Sequence, residues 1–371
     1  MICEGVSVKK IKKDKSEMTP EELQQERARR KRRARWRKLD VIVNRIFGVF
    51  LATVIVFGIG ALGFEYVLLK GPSPALSELF SMAMFETRRF IWAPNIFLTE
   101  EETDALKATR NNRFEGEMQL DLISVGQSTN QYDENGGYID AYGLVDDDND
   151  GIILEEVHGS GYTGYMLIVL DPMRVYVERG LGNFLGDIVK MYDAQGGING
   201  GSYLDPNGGG DGSYPDGLTV INGEIVSHTN GNAFAGIDKD GILHVGYYDA
   251  ESAIQLGIQY GVSFGPVLVY NGEPEYYPSG AGPRTAIGQR GDGAILMLVI
   301  DGRQVHSFGA TYSDMTDVML SYGAVNAMNL DGGSSTLMYF NGEYINSSSA
   351  ANGVGRGLPD AFLIRREGSE P

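Results

Sequence analysis

The sequence predicts a β-rich α+β domain that follows one N-terminal transmembrane helix. From residue 152 onward, short β-rich runs alternate with turns of Gly, Asn and Asp, and few stretches show the helical spacing of apolar residues. Near the N-terminus, residues 46–64 form a run of nineteen residues without a charge. The 371 residues therefore predict an anchor and one large folded unit rather than two domains.

The residues before the apolar run are strongly basic. Residues 1–45 hold fifteen Lys and Arg against seven Asp and Glu. A nineteen-residue helix, at about 1.5 Å per residue, crosses a bilayer core of about 30 Å, and the positive-inside rule keeps the basic side in the cytoplasm. We therefore expect a basic cytoplasmic tail at 1–38, a single-pass cell-membrane anchor at 39–69 and an extracytoplasmic remainder. A nucleic-acid-binding arm, a buried core helix and a cleaved signal peptide are the alternatives.

The chain beyond residue 70 is strongly acidic, with fifteen basic and forty-one acidic residues. Such a charge repels nucleic acid, so no nucleic-acid partner is expected, and an anionic substrate needs a local cationic pocket. The one cysteine is Cys3, so the outer domain has neither a disulfide nor a thiol nucleophile.

Residues 70–150 are predicted to hold membrane-proximal helices and a polar stalk. Apolar residues at helical spacing predict a helix over 75–90, and Thr99 followed by three glutamates is typical of a helix N-cap. The polar, turn-rich residues 111–150 predict an exposed stalk or loop.

Residues 151–367 are predicted to form the main domain, and 51 glycines in the chain agree with tight turns and pockets lined by backbone. Its predicted helices lie at 186–195, 251–260 and 316–322. Its predicted strands lie at 165–170, 174–177, 218–221, 242–247, 267–270, 294–300, 336–340 and 361–364.

The run Asp146, Asp148, Asp150 and Gly151 resembles the start of a calcium loop. The twelfth position is Val157, where a bidentate glutamate is needed. A complete EF-hand is therefore not predicted, and a divalent cation, calcium or magnesium, is left as an open expectation from the acidity of the domain.

The most informative motif is Asp331-Gly332-Gly333-Ser334-Ser335, which lies between two apolar runs. Glycines let the backbone approach a ligand, and the two serines add hydroxyl donors beside a carboxylate. This combination suits a phosphate or a sugar, and a tight turn capped by Asp331 is the alternative.

A second cluster, with Asn199, Gly200, Gly201 and Tyr203, offers an amide, two glycines and an aromatic ring at one turn. Such a mixture of hydrogen-bonding groups and a stacking face suits a sugar.

Two charged residues lie at the ends of predicted strands. Arg284 precedes a strand in a region with few cations and could bind an oxyanion bidentately. Asp301 ends an apolar strand, where it is either a turn residue or a catalytic partner.

Several enzyme classes are poorly supported. The four histidines lack the spacing of a zinc site. The sequence also has no phosphate-binding P-loop.

In this order the clusters resemble the phosphodiester glycosidase family over about residues 152–365, most closely its membrane-anchored bacterial, exopolysaccharide-related members. Two departures are Ser334, where many members carry a third glycine, and Ser202, where an aromatic residue or glycine is commoner. The landmarks are Val169-Leu170-Asp171-Pro172, Ile198-Asn199-Gly200-Gly201-Ser202-Tyr203, Phe264-Gly265-Pro266, Pro283-Arg284-Thr285-Ala286, Val299-Ile300-Asp301-Gly302-Arg303, Asn329-Leu330-Asp331-Gly332-Gly333-Ser334-Ser335 and Gly355-Arg356.

The resemblance implies hydrolysis of a bond between an anomeric carbon and a phosphodiester oxygen in an envelope glycan or exopolysaccharide. It implies catalytic roles for Asp331, Asp301 and Arg284. Substrate contacts are implied for Asn199, Gly200, Gly201, Tyr203, Asn329, Gly332, Gly333, Ser334, Ser335 and Arg356. A non-catalytic module that binds surface glycopolymers and a structural envelope protein are the alternatives.

Overall fold

A computed structural model describes residues 18–86, 90, 92–108, 116–205, 210–229 and 232–368. The chain divides into two compact units, residues 1–67 and residues 68–371. Residues 20–38 of the predicted basic tail are helical, and its residues 1–17 lie outside the described residues.

The described part of the first unit is almost entirely helical and belongs to one long helix, α1 (Pro20–Lys70, 51 residues). Its Leu23–Lys70 portion is long and apolar enough to cross a membrane, and none of its most apolar stretch is buried. An anchor and a signal sequence both fit this finding, so the predicted topology stays a prediction.

The second unit begins with two helices, α2 (Pro74–Glu86) and α3 (Glu100–Ala108). The predicted N-cap of α3 is confirmed: the Thr99 N–H donates to Glu102 Oε2 at 2.8 Å, and the Glu102 N–H donates to Thr99 Oγ1 at 3.2 Å.

Three further helices are α4 (Leu185–Met191), α5 (Ala250–Gln255) and α6 (Tyr312–Ser321). The prediction of helix over 251–260 is wrong in its second half. Gly257, at φ +72°, ends the helical turn, and a strand begins at Ile258.

The first twelve strands are β1 (Gln131–Tyr132), β2 (Tyr138–Ile139), β3 (Val145–Asp146), β4 (Ile152–Gly159), β5 (Tyr162–Val169), β6 (Val175–Asn183), β7 (Gly196–Asn199), β8 (Thr219–Ile221), β9 (Glu224–Ser227), β10 (Ala233–Asp238), β11 (Leu243–Gly246) and β12 (Ile258–Phe264). They are followed by β13 (Val267–Tyr270), β14 (Glu273–Pro274), β15 (Arg284–Arg290), β16 (Ile295–Ile300), β17 (Ala324–Asn329), β18 (Met338–Phe340), β19 (Glu343–Tyr344) and β20 (Leu358–Ile364).

These strands form four sheets. The largest has seven strands in the order β14-β13-β17-β15-β16-β5-β4. Two five-stranded sheets have the orders β11-β10-β12-β8-β9 and β19-β18-β7-β20-β6, and the smallest sheet is β1-β2-β3. The strand pairs that surround the candidate site, including β15 with β16 and with β17, are antiparallel.

The three larger sheets surround one central apolar core. Because side chains alternate along a strand, β16 sends Ile295, Met297 and Val299 into that core. Its other face joins a second cluster that α6 covers, and α4 and α5 cover the outer faces of the two five-stranded sheets. The predicted β-rich α+β class is confirmed.

The small sheet β1–β3 lies where the sequence predicts a stalk or loop. Asp140, between β2 and β3, pairs with Arg290 of β15 at 2.7 Å, and both side chains are buried. Residues 131–146 therefore pack against the seven-stranded sheet and belong to the folded unit.

Candidate active site

A cavity of about 330 Å³ lies where loops of several strands meet the C-terminal end of α2. This volume is within the range of small-molecule sites. Eight of the predicted site residues line it: Tyr203, Arg284, Asn329, Asp331, Gly332, Gly333, Ser334 and Arg356.

The turn after β17 forms one wall of this cavity. Gly333 has φ +64°, and its N–H donates to the Pro283 carbonyl at 3.0 Å. A Cβ on Gly332 would lie 2.9 Å from the same carbonyl oxygen. Gly333 is therefore required by its backbone conformation, and Gly332 is required because a side chain there would lie too close to the Pro283 carbonyl. Together they hold Asp331 at the cavity.

Asn199, predicted as a substrate contact, lies behind the wall and is fully buried. Its Nδ2 donates to the Asp331 carbonyl at 2.7 Å, and its Oδ1 accepts from Thr285 Oγ1 at 2.8 Å and from the Leu337 N–H at 3.1 Å. Asn199 therefore fixes the backbone of Asp331, and a direct contact with substrate stays a prediction.

Gly200 and Gly201 also lie outside the cavity lining, beside a carboxylate that the sequence analysis missed. The Gly201 N–H donates to Asp360 Oδ1 at 2.7 Å, and a Cβ on Gly200 would lie 2.2 Å from that oxygen. Asp360 is fully buried. Burial, with a smaller contribution from the charge of Asp331, raises the pKa of Asp360 to about 7.

Arg284, at the start of β15, lies under the cavity with most of its donors in use. Its Nε donates to the Ala310 carbonyl at 3.1 Å, its Nη2 donates to Glu86 Oε2 at 2.8 Å, and its guanidinium stacks on Tyr312 at 4.3 Å. Although burial opposes the charge, Glu86 and Tyr312 hold the pKa of Arg284 above its usual value. Glu86 therefore holds Arg284 in its charged form.

Arg303 is a lining residue that no sequence signal singled out for a role. It is exposed, and among the described residues its side chain has no hydrogen-bond or ion-pair partner. Its Nη1 lies 3.6 Å from the position of a Cβ on Gly333, and its Nη2 lies 3.8 Å from that of a Cβ on Gly282. Desolvation and the charge of Arg284 lower the pKa of Arg303. This cation faces the glycine-rich wall.

Arg356 and Tyr203 form a pair across another wall. The guanidinium lies 3.8 Å from the centre of the Tyr203 ring, its Nη1 donates to the Tyr203 hydroxyl, and its Nη2 donates to the Gly210 carbonyl at 3.0 Å. Arg284, Arg303 and Arg356 together give the cavity the cationic lining that the acidic domain requires for an anionic ligand.

The remaining predicted residues differ in position. Asn329 lines the cavity, and its Nδ2 donates to the Gly265 carbonyl at 2.7 Å, whereas its buried Oδ1 has no partner among the described residues. Ser335 is buried. Asp301 lies outside the lining, where its Oδ1 accepts from Asn346 Nδ2 at 2.9 Å.

Among the described residues, one cluster could supply carboxylate oxygens to a metal ion, and it lies outside the cavity. It consists of Asp146, Asp148 and Asp150, whose ligand oxygens lie within 4.8 Å of one another. No cofactor is established for the cavity itself.

Residues 192–365 match the family described as phosphodiester glycosidase. The chain is 33% identical over 159 residues to the SPbeta prophage-derived uncharacterized protein YomE of Bacillus subtilis (strain 168), covering 40% of this chain and 24% of that protein. It is 30% identical over 149 residues to the N-acetylglucosamine-1-phosphodiester alpha-N-acetylglucosaminidase of Bos taurus, covering 34% of this chain and 28% of that protein. The chain thus spans about a quarter of the length of each relative.

Among solved structures, the fold is similar to the catalytic domain of zebrafish N-acetylglucosamine-1-phosphodiester alpha-N-acetylglucosaminidase, which is auto-inhibited by its pro-peptide. The TM-score is 0.50 at 20% identity, with 58% of this chain and 82% of that chain covered. This likeness supports the fold of the domain.

Proposed function

We propose, because residues 192–365 match the phosphodiester glycosidase family model, that the cavity hydrolyses the bond between the anomeric carbon of a sugar and a phosphodiester oxygen. The observation that carries this proposal is the meeting of Asp331 with Arg303 and the glycine-rich turn at one cavity. A sugar phosphodiester presents the two chemical features that these groups complement, an anomeric carbon and an anion.

The chemistry of the leaving group fits a site with more cations than acids. When water adds to the anomeric carbon and the carbon–oxygen bond breaks, the products are a free sugar and a phosphate monoester. The second pKa of a phosphate monoester is about 6, so the leaving oxygen needs little protonation by an acid. It needs donors that stabilise its negative charge, and Arg303 and the Gly333 turn offer them.

Asp331 is the proposed reactive carboxylate because it lines the cavity, whereas Asp301 does not. Asp331 would either add to the anomeric carbon or take the proton of the attacking water, and an oxocarbenium-like transition state gains from its charge in both cases. Asp301 would act as a positioning residue through Asn346 and through the loop that carries Arg303.

The sugar would lie against Tyr203, whose ring already stacks on Arg356. Arg284 would contact the phosphodiester after Glu86 gives up its hydrogen bond. Asn329 offers a buried Oδ1 without a partner among the described residues, which suits a sugar hydroxyl.

The substrate and its location are further parts of this proposal. With α1 as a single-pass anchor and the basic tail in the cytoplasm, the domain would act outside the membrane on an envelope glycan or an exopolysaccharide. The relative from Bos taurus is named for N-acetylglucosamine, so this sugar is the first to test.

The test uses the full chain in detergent micelles with N-acetylglucosamine-1-phosphate methyl ester and analogues that carry other sugars. We expect release of free sugar, and in ¹⁸O-labelled water the label enters the sugar rather than the phosphate, because the carbon–oxygen bond is the one that breaks. Asp331→Asn should lower turnover by about 10²–10⁴-fold at an unchanged thermal midpoint.

Three results would contradict the proposal. Label in the phosphate would make the protein a phosphodiesterase, and full turnover by a folded Asp331→Asn variant would remove its assigned role. Absence of sugar release from every analogue, with retained binding to envelope glycopolymer, would favour the non-catalytic binding module.

A further inference from the structure

A second polar site lies between β3 and β4, away from the cavity. The carboxylates of Asp146, Asp148 and Asp150 each offer one oxygen, and these oxygens lie within 4.8 Å of one another. Acidic residues are common on this domain, so their proximity alone does not identify a ligand.

The burial and the hydrogen bonding of Asp146 are a second observation, independent of this proximity, that points to a ligand. Its side chain is 2% exposed, its Oδ2 accepts from the Gly151 N–H at 2.8 Å, and its buried Oδ1 has no hydrogen-bond partner among the described residues. A buried carboxylate oxygen without a donor is costly unless a proton or a cation neutralises it.

The hydrogen bonds within the loop resemble those of loops that bind cations. Asp148 Oδ1 accepts from the Asp150 N–H at 3.3 Å, and Asp150 Oδ1 accepts from the Ile152 N–H at 2.9 Å. These bonds fix the carboxylates of Asp148 and Asp150 at alternate positions of the chain, and Gly151, at φ +80°, makes the turn that follows them. Calcium takes six to eight oxygen ligands from such spacing.

We propose that Asp146, Asp148 and Asp150 bind one calcium ion, with Asp146 Oδ1 as the buried ligand. Val157, at the twelfth position, is buried in β4 and supplies no ligand oxygen from its side chain. Water and main-chain oxygens must therefore complete the coordination. We therefore expect a dissociation constant of about 10⁻⁴–10⁻³ M, which is typical of extracellular calcium modules.

The ion would have a structural effect. The loop joins the small sheet β1–β3 to the seven-stranded sheet, and Asp150 Oδ2 accepts from Gln195 Nε2 at 2.6 Å. Gln195 directly precedes β7 of a third sheet. Calcium at this loop would thus hold three sheets together, independently of whether the cavity hydrolyses a phosphodiester.

The experiment is a calcium titration of the full chain in detergent micelles, followed by calorimetry and by the thermal midpoint. Asp148→Asn removes an exposed ligand, and Asp147→Asn is its matched control, since Asp147 is exposed, adjacent and outside the cluster. Asp146→Asn tests the buried ligand. We expect one saturable site in the parent chain and in Asp147→Asn, a rise of the midpoint with calcium, and at least tenfold weaker binding in Asp148→Asn.

Two outcomes would overturn the proposal. Equal weakening by Asp147→Asn and Asp148→Asn would assign the binding to the general acidity of the surface. Absence of a saturable calcium isotherm in the folded parent chain would leave a proton as the neutralising group at Asp146.

Discussion

Glu86 Oε2 accepts a hydrogen bond from Arg284 Nη2 at 2.8 Å, and both side chains are almost completely buried. Glu86 ends α2, outside the residues that match the family, and it lines the same cavity as Asp331. A carboxylate on this arginine occupies donors that a phosphodiester would use, so under the proposed function α2 and the anionic substrate would compete for Arg284.

The first prediction concerns this competition. Glu86→Gln should lower the KM for a sugar phosphodiester about tenfold and leave kcat almost unchanged, because a neutral amide holds Arg284 less strongly than a carboxylate does. Steady-state kinetics on the full chain measure both parameters. Glu78→Gln, on the same helix and away from the cavity, is the control. A loss of kcat in Glu86→Gln would instead make Glu86 a catalytic residue.

The second prediction concerns Arg303, the lining cation without a partner among the described residues. Arg303→Ala should lower kcat/KM about 10–100-fold, the usual value of a hydrogen bond to a charged group. Arg303→Lys should recover part of the loss, because lysine keeps the charge without the planar fork. Arg366→Ala is the control, since Arg366 is exposed and pairs with Asp193 at 3.1 Å. Equal activity of Arg303→Ala and Arg366→Ala would exclude a role in binding the anion.

The third prediction uses the pKa of Asp360, which is raised from 3.8 to about 7 by burial and then by the charge of Asp331. Between these pH values the folded state binds more protons than the unfolded state. The stability from this group is therefore complete below about pH 4 and is lost as the pH rises toward 7.

Asp360→Asn imitates the protonated acid, so the variant should gain stability relative to the parent as the pH rises from 4 to 8. The relative gain is on the order of 4 kcal/mol, from about three pH units at 1.36 kcal/mol each. Urea unfolding at several pH values measures it. Parallel pH profiles of the two proteins would show that the carboxyl ionises normally in the folded state.

The fourth prediction concerns the buried pair of Asp140 and Arg290. Asp140→Asn removes one partner of a buried ion pair, and Asp292 remains beside Arg290 at 2.5 Å. We expect a loss of about 3 kcal/mol in the free energy of unfolding, at the lower end for such pairs. Urea unfolding of the full chain gives the value, with Glu134→Gln in the exposed β1–β2 turn as the control. If the two variants were equally stable, the small sheet would not contribute to the folded unit.

Strands such as β5, β13 and β16 could be predicted because their apolar residues and their turns give a clear pattern, whereas β4, β12 and β15 were not among the predicted strands. β16 is an apolar run bounded by Gly293 and Gly302, and every residue in it is buried. The small sheet could not be predicted, because β1, β2 and β3 have two residues each, too few to show an alternating pattern. Their place depends on Asp140 and Arg290, which lie 150 residues apart.

The candidate site, too, could be predicted from the sequence only in part. The glycine-rich turn was predictable because the glycines that allow close backbone approach are consecutive in the sequence. Arg303 and Glu86 come from distant segments and carry no local motif, so only the fold brings them together. Asn199 is of a residue type that often binds sugars. Its side chain instead forms hydrogen bonds with Thr285 and with the Asp331 carbonyl behind the cavity wall.

The three arginines of the cavity lie within a domain that carries far more acids than bases. The long-range field of that domain repels an approaching anion, whereas the short-range field inside the cavity attracts it. Salt screens the first field over about 10 Å at 0.1 M and affects the enclosed groups much less. Low ionic strength would therefore disfavour small anions that diffuse in from solution relative to segments of a polymer already held beside the cavity, and added salt would reduce this difference.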